Sequence, residues 1–406
     1  MNLLIISQYF YPENFRINEL VADFIKRGHK ITVLTGLPNY PQGKFYHGYG
    51  WMGPWKEQLF GASIIRVPML PRFSGTWWQL FLNYISFALV ASICIFWRVS
   101  RKQSAIIVFQ TSPATVGFPA ILASKIIGVP VFFWILDLWP ESLRATKAIE
   151  SLFLLNAVNY WVKWVYARCE ILFISSRSFS KSLKLQGIQT DKIKYLPNWI
   201  EKDYEAHQSI CKKKELEYFK IVYAGNIGVA QDLPSLLKAA SKLANCLPEI
   251  RWQIVGDGRL LSWFKSEVSR LDLDKIIEFS GQLPANELPK IFDKADALLV
   301  TLCDDPVVSL TVPGKVQTYM ASGKPILAMI NGEGAKIIFD SGGGFVADAS
   351  DVDHFCENVI KLASKTTEQR KNIGEAGRKY ALKEFDRKKI LDRLERIIEK
   401  SLNNEQ

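Results

Sequence analysis

Histidine and cysteine are scarce and scattered in this chain. The four histidines (His29, His47, His207, His354) stand apart, and the six cysteines (Cys94, Cys169, Cys211, Cys246, Cys303, Cys356) include no CxxC pair. This excludes a zinc module or a disulfide-stapled scaffold and points to a reduced, cytosolic setting. The DxD spacings Asp272/Asp274 and Asp351/Asp353 lie in charged, non-strand stretches and read as solvated faces, so no metal is assigned. The GxGxxG fingerprint is missing as well, which argues against a nicotinamide- or flavin-dependent epimerase or dehydrogenase. Short-period repeats and low-complexity tracts are also absent, while 48% apolar and 22% charged residues leave ample material for buried cores. No cationic segment precedes an apolar one at the start; Met1 to Ile6 leads into the turn-like Ser7 to Asn14, so no secretory signal is read.

What is present is unevenly spread. With 406 residues, two or three domains are expected. Residues 1–200 carry 21 Lys and Arg against 9 Asp and Glu, whereas residues 201–406 carry 30 against 31. Ten of the twelve tryptophans also lie in the first 200 residues. A cationic, ring-rich half suits an anionic, partly apolar partner such as a membrane surface. It also leaves open a non-catalytic membrane- or nucleic-acid-binding protein. Nucleic acid is disfavoured, because uncharged runs such as Trp77 to Trp97 do not interleave basic residues with stacking rings.

Apolar runs and helical spacings alternate along the chain. Leu3 to Ile6 is a strand, Arg16 to Arg27 repeats Ile17, Leu20, Val21 and Phe24 at helical spacing, and Ile31 to Leu34 follows Gly28 as a second strand. The pattern returns at Ala105 to Phe109, Val116 to Ile127, Val131 to Ile135, Ile171 to Ile174 and Ser178 to Gln186. A charged stretch from Glu201 to Lys220 reads as a linker. Beyond it come Lys220 to Ala224, Leu233 to Leu243, Arg251 to Val255, Ile276 to Phe279, Ala297 to Thr301, Pro313 to Ala321 and Pro325 to Met329. The predicted fold class is α/β, with two Rossmann-like, doubly wound parallel-sheet domains over residues 1–200 and 201–385. A charged helix over residues 386–406 closes the chain, placed to pack back on the first domain.

Trp77 to Trp97 runs 21 residues without Lys, Arg, Asp or Glu, long enough to span a bilayer. A spanning helix would separate the first βαβ unit from the strands at 105 and 131. Arg72 before the run and Arg98, Arg101 and Lys102 after it give no orientation bias. A helix lying in the membrane interface and an ordinary buried helix are the other two readings. Arg72, Trp77, Trp78, Phe81 and Arg98 are the candidate membrane contacts, and an aromatic helix from Ser151 to Arg168 is placed to widen the patch.

The chemistry-bearing residues lie where strands are predicted to end, the place ligands occupy in open α/β sheets. Glu13, a candidate catalytic group, and Arg16, a candidate donor contact, sit in the first loop beside a helix start that attracts phosphate, with a plain helix-start role as the alternative for Glu13. Asp137 and Glu141, in VFFWILDLWPE, form an acid/base or hydroxyl-orienting pair or, in the blander reading, cap a helix. Gly225, Asn226 and Gln231 line a small-residue loop where backbone amides can approach an oxyanion, and Asp257, in the strand-to-loop turn IVGDG, is a further donor-site candidate or, in the blander reading, a turn residue. Thr311, Val312, Pro313 and Lys315 open a helix at which Thr311 is the expected cap, Pro313 fits the first turn and Lys315 brings a cation to a phosphate-favouring end.

Taken together, the opening loop, RGHKITVLT (Arg27 to Thr35), YLPNWI (Tyr195 to Ile200), AGNIG, IVGDG and YMASGKP resemble the retaining family-4 glycosyltransferases of GT-B fold. DLWPES (Asp137 to Ser142) and VPGK (Val312 to Lys315) look most like the branch that builds O-antigen and capsule, which includes N-acetyl-L-fucosaminyltransferases. The resemblance implies two domains facing across a cleft, a nucleotide-sugar, usually UDP-linked, in the second, and an acceptor in the first. It further implies transfer with retained anomeric configuration and without metal or other cofactor. Gln282, within Gly281 to Leu283, would lie at the base, Lys315 at the diphosphate, and Asp137 near the transferred sugar and the incoming hydroxyl. This chain departs from the family where Leu310 and Thr318 replace two customary glutamates and Asn226 and Gln231 replace an arginine and a lysine; Thr318 keeps a hydroxyl for the ribose. The expected partners are a UDP-sugar, a polyprenyl-diphosphate-linked acceptor and the membrane surface, without nucleic acid. The expected location is cytoplasmic, peripheral on the inner face of the plasma membrane.

Overall fold

A computed structural model describes residues 1–110, 113–145, 151–201, 204 and 218–404. The chain divides into two compact units, Met1–Leu196 with Leu391–Gln406, and Pro197–Ile390. Most of the stretch read as a linker, including His207 and Cys211, lies outside the described residues.

The first unit holds an eight-stranded sheet of β1 (Asn2–Ile6), β2 (Lys30–Gly36), β3 (Lys56–Leu59), β4 (Ala62–Val67), β5 (Ala105–Phe109), β6 (Val131–Ile135), β7 (Ile171–Ile174) and β8 (Ile193–Tyr195). Their order is β3-β4-β2-β1-β5-β6-β7-β8, and every neighbouring pair is parallel except β3 with β4. Central strands such as Ala105–Phe109 and Val131–Ile135 are buried throughout, which is why they read as unbroken apolar runs. The helices are α1 (Ile17–Lys26), α2 (Trp77–Arg98), α3 (Gly117–Ile127), α4 (Glu141–Ala145), α5 (Leu152–Ala167) and α6 (Phe179–Leu185). The sequence pattern missed the β3–β4 hairpin. KEQL carries no apolar alternation, and its turn puts both Phe60 (φ 55°) and Gly61 (φ 90°) in the left-handed region, as two-residue hairpins require.

The second unit is a six-stranded, all-parallel sheet of β9 (Phe219–Ala224), β10 (Ile250–Val255), β11 (Ile277–Gly281), β12 (Ala297–Thr301), β13 (Ile326–Met329) and β14 (Gly344–Ala347). The order is β11-β10-β9-β12-β13-β14. Helices α7 (Leu233–Cys246), α8 (Leu261–Arg270) and α12 (Val352–Ala363) contribute to the core on one face. Helices α9 (Leu288–Asp293), α10 (Gly314–Ala321), α11 (Gly332–Ser341) and α13 (Thr367–Glu384) contribute to the other. The last helix, α14 (Arg387–Asn404), is tied to the first unit from residue 391 onward. Arg27 pairs with Asp392 at 2.6 Å and Glu395 at 2.7 Å, His29 meets Glu395 at 2.7 Å, and the Ser401 hydroxyl donates to Glu170 at 3.1 Å.

Among its parallel strands each sheet reverses its order once. The reversal falls between β1 and β5 in the first unit and between β9 and β12 in the second. Ligands in doubly wound sheets settle beyond the carboxyl ends of the strands at such points.

Candidate functional site

In the second unit the loop after β9 crosses the loop after β10 with almost no clearance. The Gly225 N–H donates to Val255 O at 2.9 Å and the Ile227 N–H to Asp257 O at 2.8 Å. A Cβ on Gly256 (φ 138°) would lie 1.9 Å from the Gly225 carbonyl oxygen, so no side chain fits there. The Tyr319 hydroxyl, from α10, bonds both the N–H and the C=O of Ala224 at 2.8 and 2.9 Å. The backbone at this strand end is therefore fixed from two sides.

Lys315 is the second residue of α10, and its ammonium reaches this crossing. Nζ lies 4.0 Å from the centre of the Tyr223 ring and 3.1 Å from where a Cβ on Gly225 would stand. It is buried and makes no hydrogen bond among the described residues. Burial pulls its pKa down to about 7. A desolvated cation over a ring gains about 2 kcal/mol, less than the several kcal/mol that taking an ammonium out of water costs. An anion at this point would restore the charge.

The neighbouring side chains differ from their expected roles. Thr311 does not cap α10; its hydroxyl donates to Val308 O at 2.8 Å, closing a turn, and Pro313 itself occupies the N-cap. The cause is the short 3-10 turn Val308–Leu310, which delays the helix start past Thr311. Asn226 and Gln231 meet each other at 3.5 Å, and Gln231 Oε1 accepts the Gly228 N–H at 3.1 Å, so both shape the loop. Thr318 is buried and donates to Gly314 O at 3.3 Å, as hydroxyls inside helices do. Asp257 Oδ1 accepts the Gly258 N–H at 2.7 Å, a turn role. Val312 packs against the core, and Gln282 is exposed just past β11.

In the first unit Asp137 and Glu141 lie just past β6. Asp137 accepts from Trp139 Nε1 at 3.2 Å, and burial raises its pKa to about 6 against the lowering effect of the Ser142 and Trp139 hydrogen bonds. Burial raises Glu141 too. One Glu141 oxygen and the Tyr166 hydroxyl are buried without a hydrogen bond among the described residues, and both carboxylates push the Tyr166 pKa further up after burial does so. Burial thus shifts both carboxyls upward, and the same burial together with their charge keeps the neighbouring Tyr166 phenol protonated.

Glu13 takes a structural place at the β1 end. It is 1% exposed, and its carboxylate accepts the N–H groups of Phe10 (3.1 Å), Asn39 (2.7 Å) and Tyr40 (2.7 Å). Burial outweighs these bonds and raises its pKa to about 7. Glu13 thus ties the loop after β1 to the loop after β2. Arg16 stands at the N-cap of α1 with helical backbone and no capping side-chain bond. Arg72 folds its guanidinium 4.8 Å over the Tyr40 ring.

Residues 14–199 match the family described as Glycosyl transferase 4-like domain, and residues 208–380 match Glycosyl transferases group 1. The chain is a group 1 glycosyltransferase with a family-4-like N-terminal domain.

Among the relatives of this glycosyltransferase is a putative colanic acid biosynthesis glycosyl transferase, WcaI, of Escherichia coli K12. It is 24% identical over 80% of this chain and 82% of its own length. A GDP-mannose-dependent alpha-(1-6)-phosphatidylinositol monomannoside mannosyltransferase of Mycolicibacterium smegmatis is 29% identical over 36% of this chain, and the match spans only 39% of that enzyme. The crystal structure of Anabaena Alr3699/HepE in complex with UDP superposes with a TM-score of 0.71 at 13% identity, covering 98% of this chain and 100% of that one. The fold is GT-B, as the sequence predicts.

Several residues of this glycosyltransferase's candidate site were not legible. Tyr223, Tyr319 and Tyr166 carry no motif signal; each matters through a partner that the fold brings to it from a distant stretch of chain. The DxD spacings resolve as local structure, with Asp351 capping α12, Asp274 accepting from Ser269 and Asp353 paired with Lys242.

Proposed function

We propose that this glycosyltransferase moves a sugar, N-acetyl-L-fucosamine or a related N-acetylated hexosamine, from a UDP-sugar to a lipid-diphosphate-linked saccharide during surface-polysaccharide assembly. The observation that carries the reading is the buried Lys315 ammonium, without a hydrogen bond among the described residues, at the strand-order reversal of the second sheet. Lys315 and the first amides of α10 would meet the leaving diphosphate, where one electrostatic donor is worth about 10²- to 10³-fold in rate. Asp137, with Glu141 beside it, would orient or deprotonate the acceptor hydroxyl. With the diphosphate charge met by lysine and helix dipole, the proposed reaction needs no metal; retention of the donor's anomeric configuration is proposed from the resemblance to the retaining family-4 enzymes.

The acceptor class follows from the first unit. Its excess of basic residues and its exposed rings support an anionic, apolar-tailed substrate and a peripheral position on the inner face of the plasma membrane. UDP release that requires both a UDP-sugar and a GlcNAc-diphosphate lipid, unaffected by EDTA, tests the reading. UDP release that never depends on the lipid would overturn the acceptor, and no release from any UDP-sugar in a panel would overturn the donor.

A further inference from the structure

Helix α2 is apolar on two faces that do different things. Its length and composition suffice to cross a membrane, yet a third of its most apolar stretch is buried. The strands on either side of it in sequence, β1 and β5, are hydrogen-bonded neighbours, Leu3 with Ala105 through Ile6 with Val108. A spanning α2 would break that sheet. The outer face instead exposes Trp78, Phe81, Leu82, Leu89, Ile93 and Phe96, at the spacing of one side of a helix. Trp77 is 65% and Trp97 85% exposed, at opposite ends, and basic residues follow the same plan, with Arg72 before the helix and Arg98, Arg101 and Lys102 after it. Cations and tryptophans at both ends, with apolar residues between, fit a helix lying flat in the interface of an anionic bilayer.

The inner face of α2 carries one fully buried amide, Asn83. Asn83 Oδ1 accepts from Gln8 Nε2 at 2.7 Å and from the Tyr9 hydroxyl at 3.0 Å, and Nδ2 donates to Leu70 O at 2.5 Å. An amide in an apolar helix costs stability unless it is bonded in this way. From Tyr9 the contacts continue. Its ring stacks on Phe15 at 5.6 Å and lies 5.6 Å from Tyr40, and the Tyr40 N–H is held by Glu13. The loop after β1, at the strand-order reversal of the first sheet, is thereby bonded directly to the back of the proposed membrane helix.

We propose that Asn83 is a positioning residue that passes docking of α2 on an anionic bilayer into the loop Ser7–Arg16, so that this already bonded loop opens less often at the membrane. The inference rests on the membrane-surface reading above. Docking fixes the outer face of a rigid helix, and the Asn83 bonds leave the loop no slack against it. The coupling element is a named hydrogen-bond cluster rather than a correlation.

Hydrogen exchange of the full chain, with and without phosphatidylglycerol vesicles, tests this without any appeal to turnover. In the wild type, vesicles slow exchange along α2 and also, by at least about threefold, at the amides of Phe10, Asn39 and Tyr40 that Glu13 holds. In Asn83→Ala the α2 protection persists and the loop response disappears. Tyr9→Phe, which keeps the stacked ring and removes one bond, gives an intermediate response and serves if Asn83→Ala fails to fold. Loop amides that slow equally in both variants, or that stay unchanged in the wild type while α2 is protected, would overturn the coupling and leave the membrane reading intact. An α2 without protection in the wild type would overturn the membrane reading, and the coupling with it.

Discussion

At the carboxyl end of β1 the loop is packed with side chains, Glu13 and Asn83 bonding into it and the Tyr9 and Phe15 rings meeting Tyr40; at the carboxyl end of β9 the loop brings Gly225 against a lysine that makes no hydrogen bond among the described residues. Both sheets place a strand-order reversal there. The difference teaches that one architecture serves two kinds of recognition. Under the proposed function the second unit offers charge and backbone amides to a small anion, and the first offers a side-chain-lined loop after β1 and two carboxyls after β6, plus a cationic, ring-rich exterior for something larger.

The sharpest way to break this division is to remove the acid without touching the cation. Asp137→Asn should lower transfer by at least about 10²-fold, the low end of acid–base catalysis, while UDP binding stays within about twofold. Since burial lifts Asp137 to about 6, wild-type turnover should rise as pH increases through about 6, where the carboxylate forms. A limb at that pH that survives in the variant's residual activity would assign it to another group.

The converse change is Lys315→Ala, expected to cut turnover about 10²-fold, the low end of losing one electrostatic donor, and to weaken UDP. A cation depressed to about 7 by burial is largely neutral at pH 8 in the empty protein. A bound diphosphate restores its charge, so binding takes up a proton and affinity falls as pH rises above 7, by at most about tenfold per unit. Calorimetry at pH 8 in buffers of different ionisation enthalpy reads that proton directly, and Lys315→Met should abolish it.

For the exterior, making Trp77, Trp78 and Phe81 polar should reduce sedimentation with anionic vesicles by about tenfold or more, given the area these side chains expose. Catalysis on a soluble acceptor should be unchanged. The smallest effect is expected at α14. Arg27→Ala removes two partly exposed ion pairs and should cost about 1 kcal/mol or less by thermal unfolding. A larger loss would mean that the last helix holds the first unit together.

Central strands were legible because parallel strands buried on both faces are written as unbroken apolar runs; Leu3 to Ile6, Val131 to Ile135 and Ala297 to Thr301 fall within their observed bounds. The edge hairpin Lys56–Val67 was not, since an edge strand lacks that burial and its turn uses Phe60 in a conformation no pattern announces. Lys315 was legible from its place by a helix start. Its isolation was not, because that depends on Tyr223 and Gly225, some ninety residues earlier, arriving beneath it.

By itself the sequence determined the period and order of the elements, hence two doubly wound sheets, and the uneven distribution of charge and rings. Those are properties of neighbours along the chain. Only the tertiary structure decided which polar groups are spoken for, because desolvation and hydrogen bonding depend on what stands within a few ångströms in space. That is why Glu13 is taken up as a clamp between two loops, and why Asn83, a polar interruption of an apolar run, is bonded to Gln8 and Tyr9 in the loop after β1.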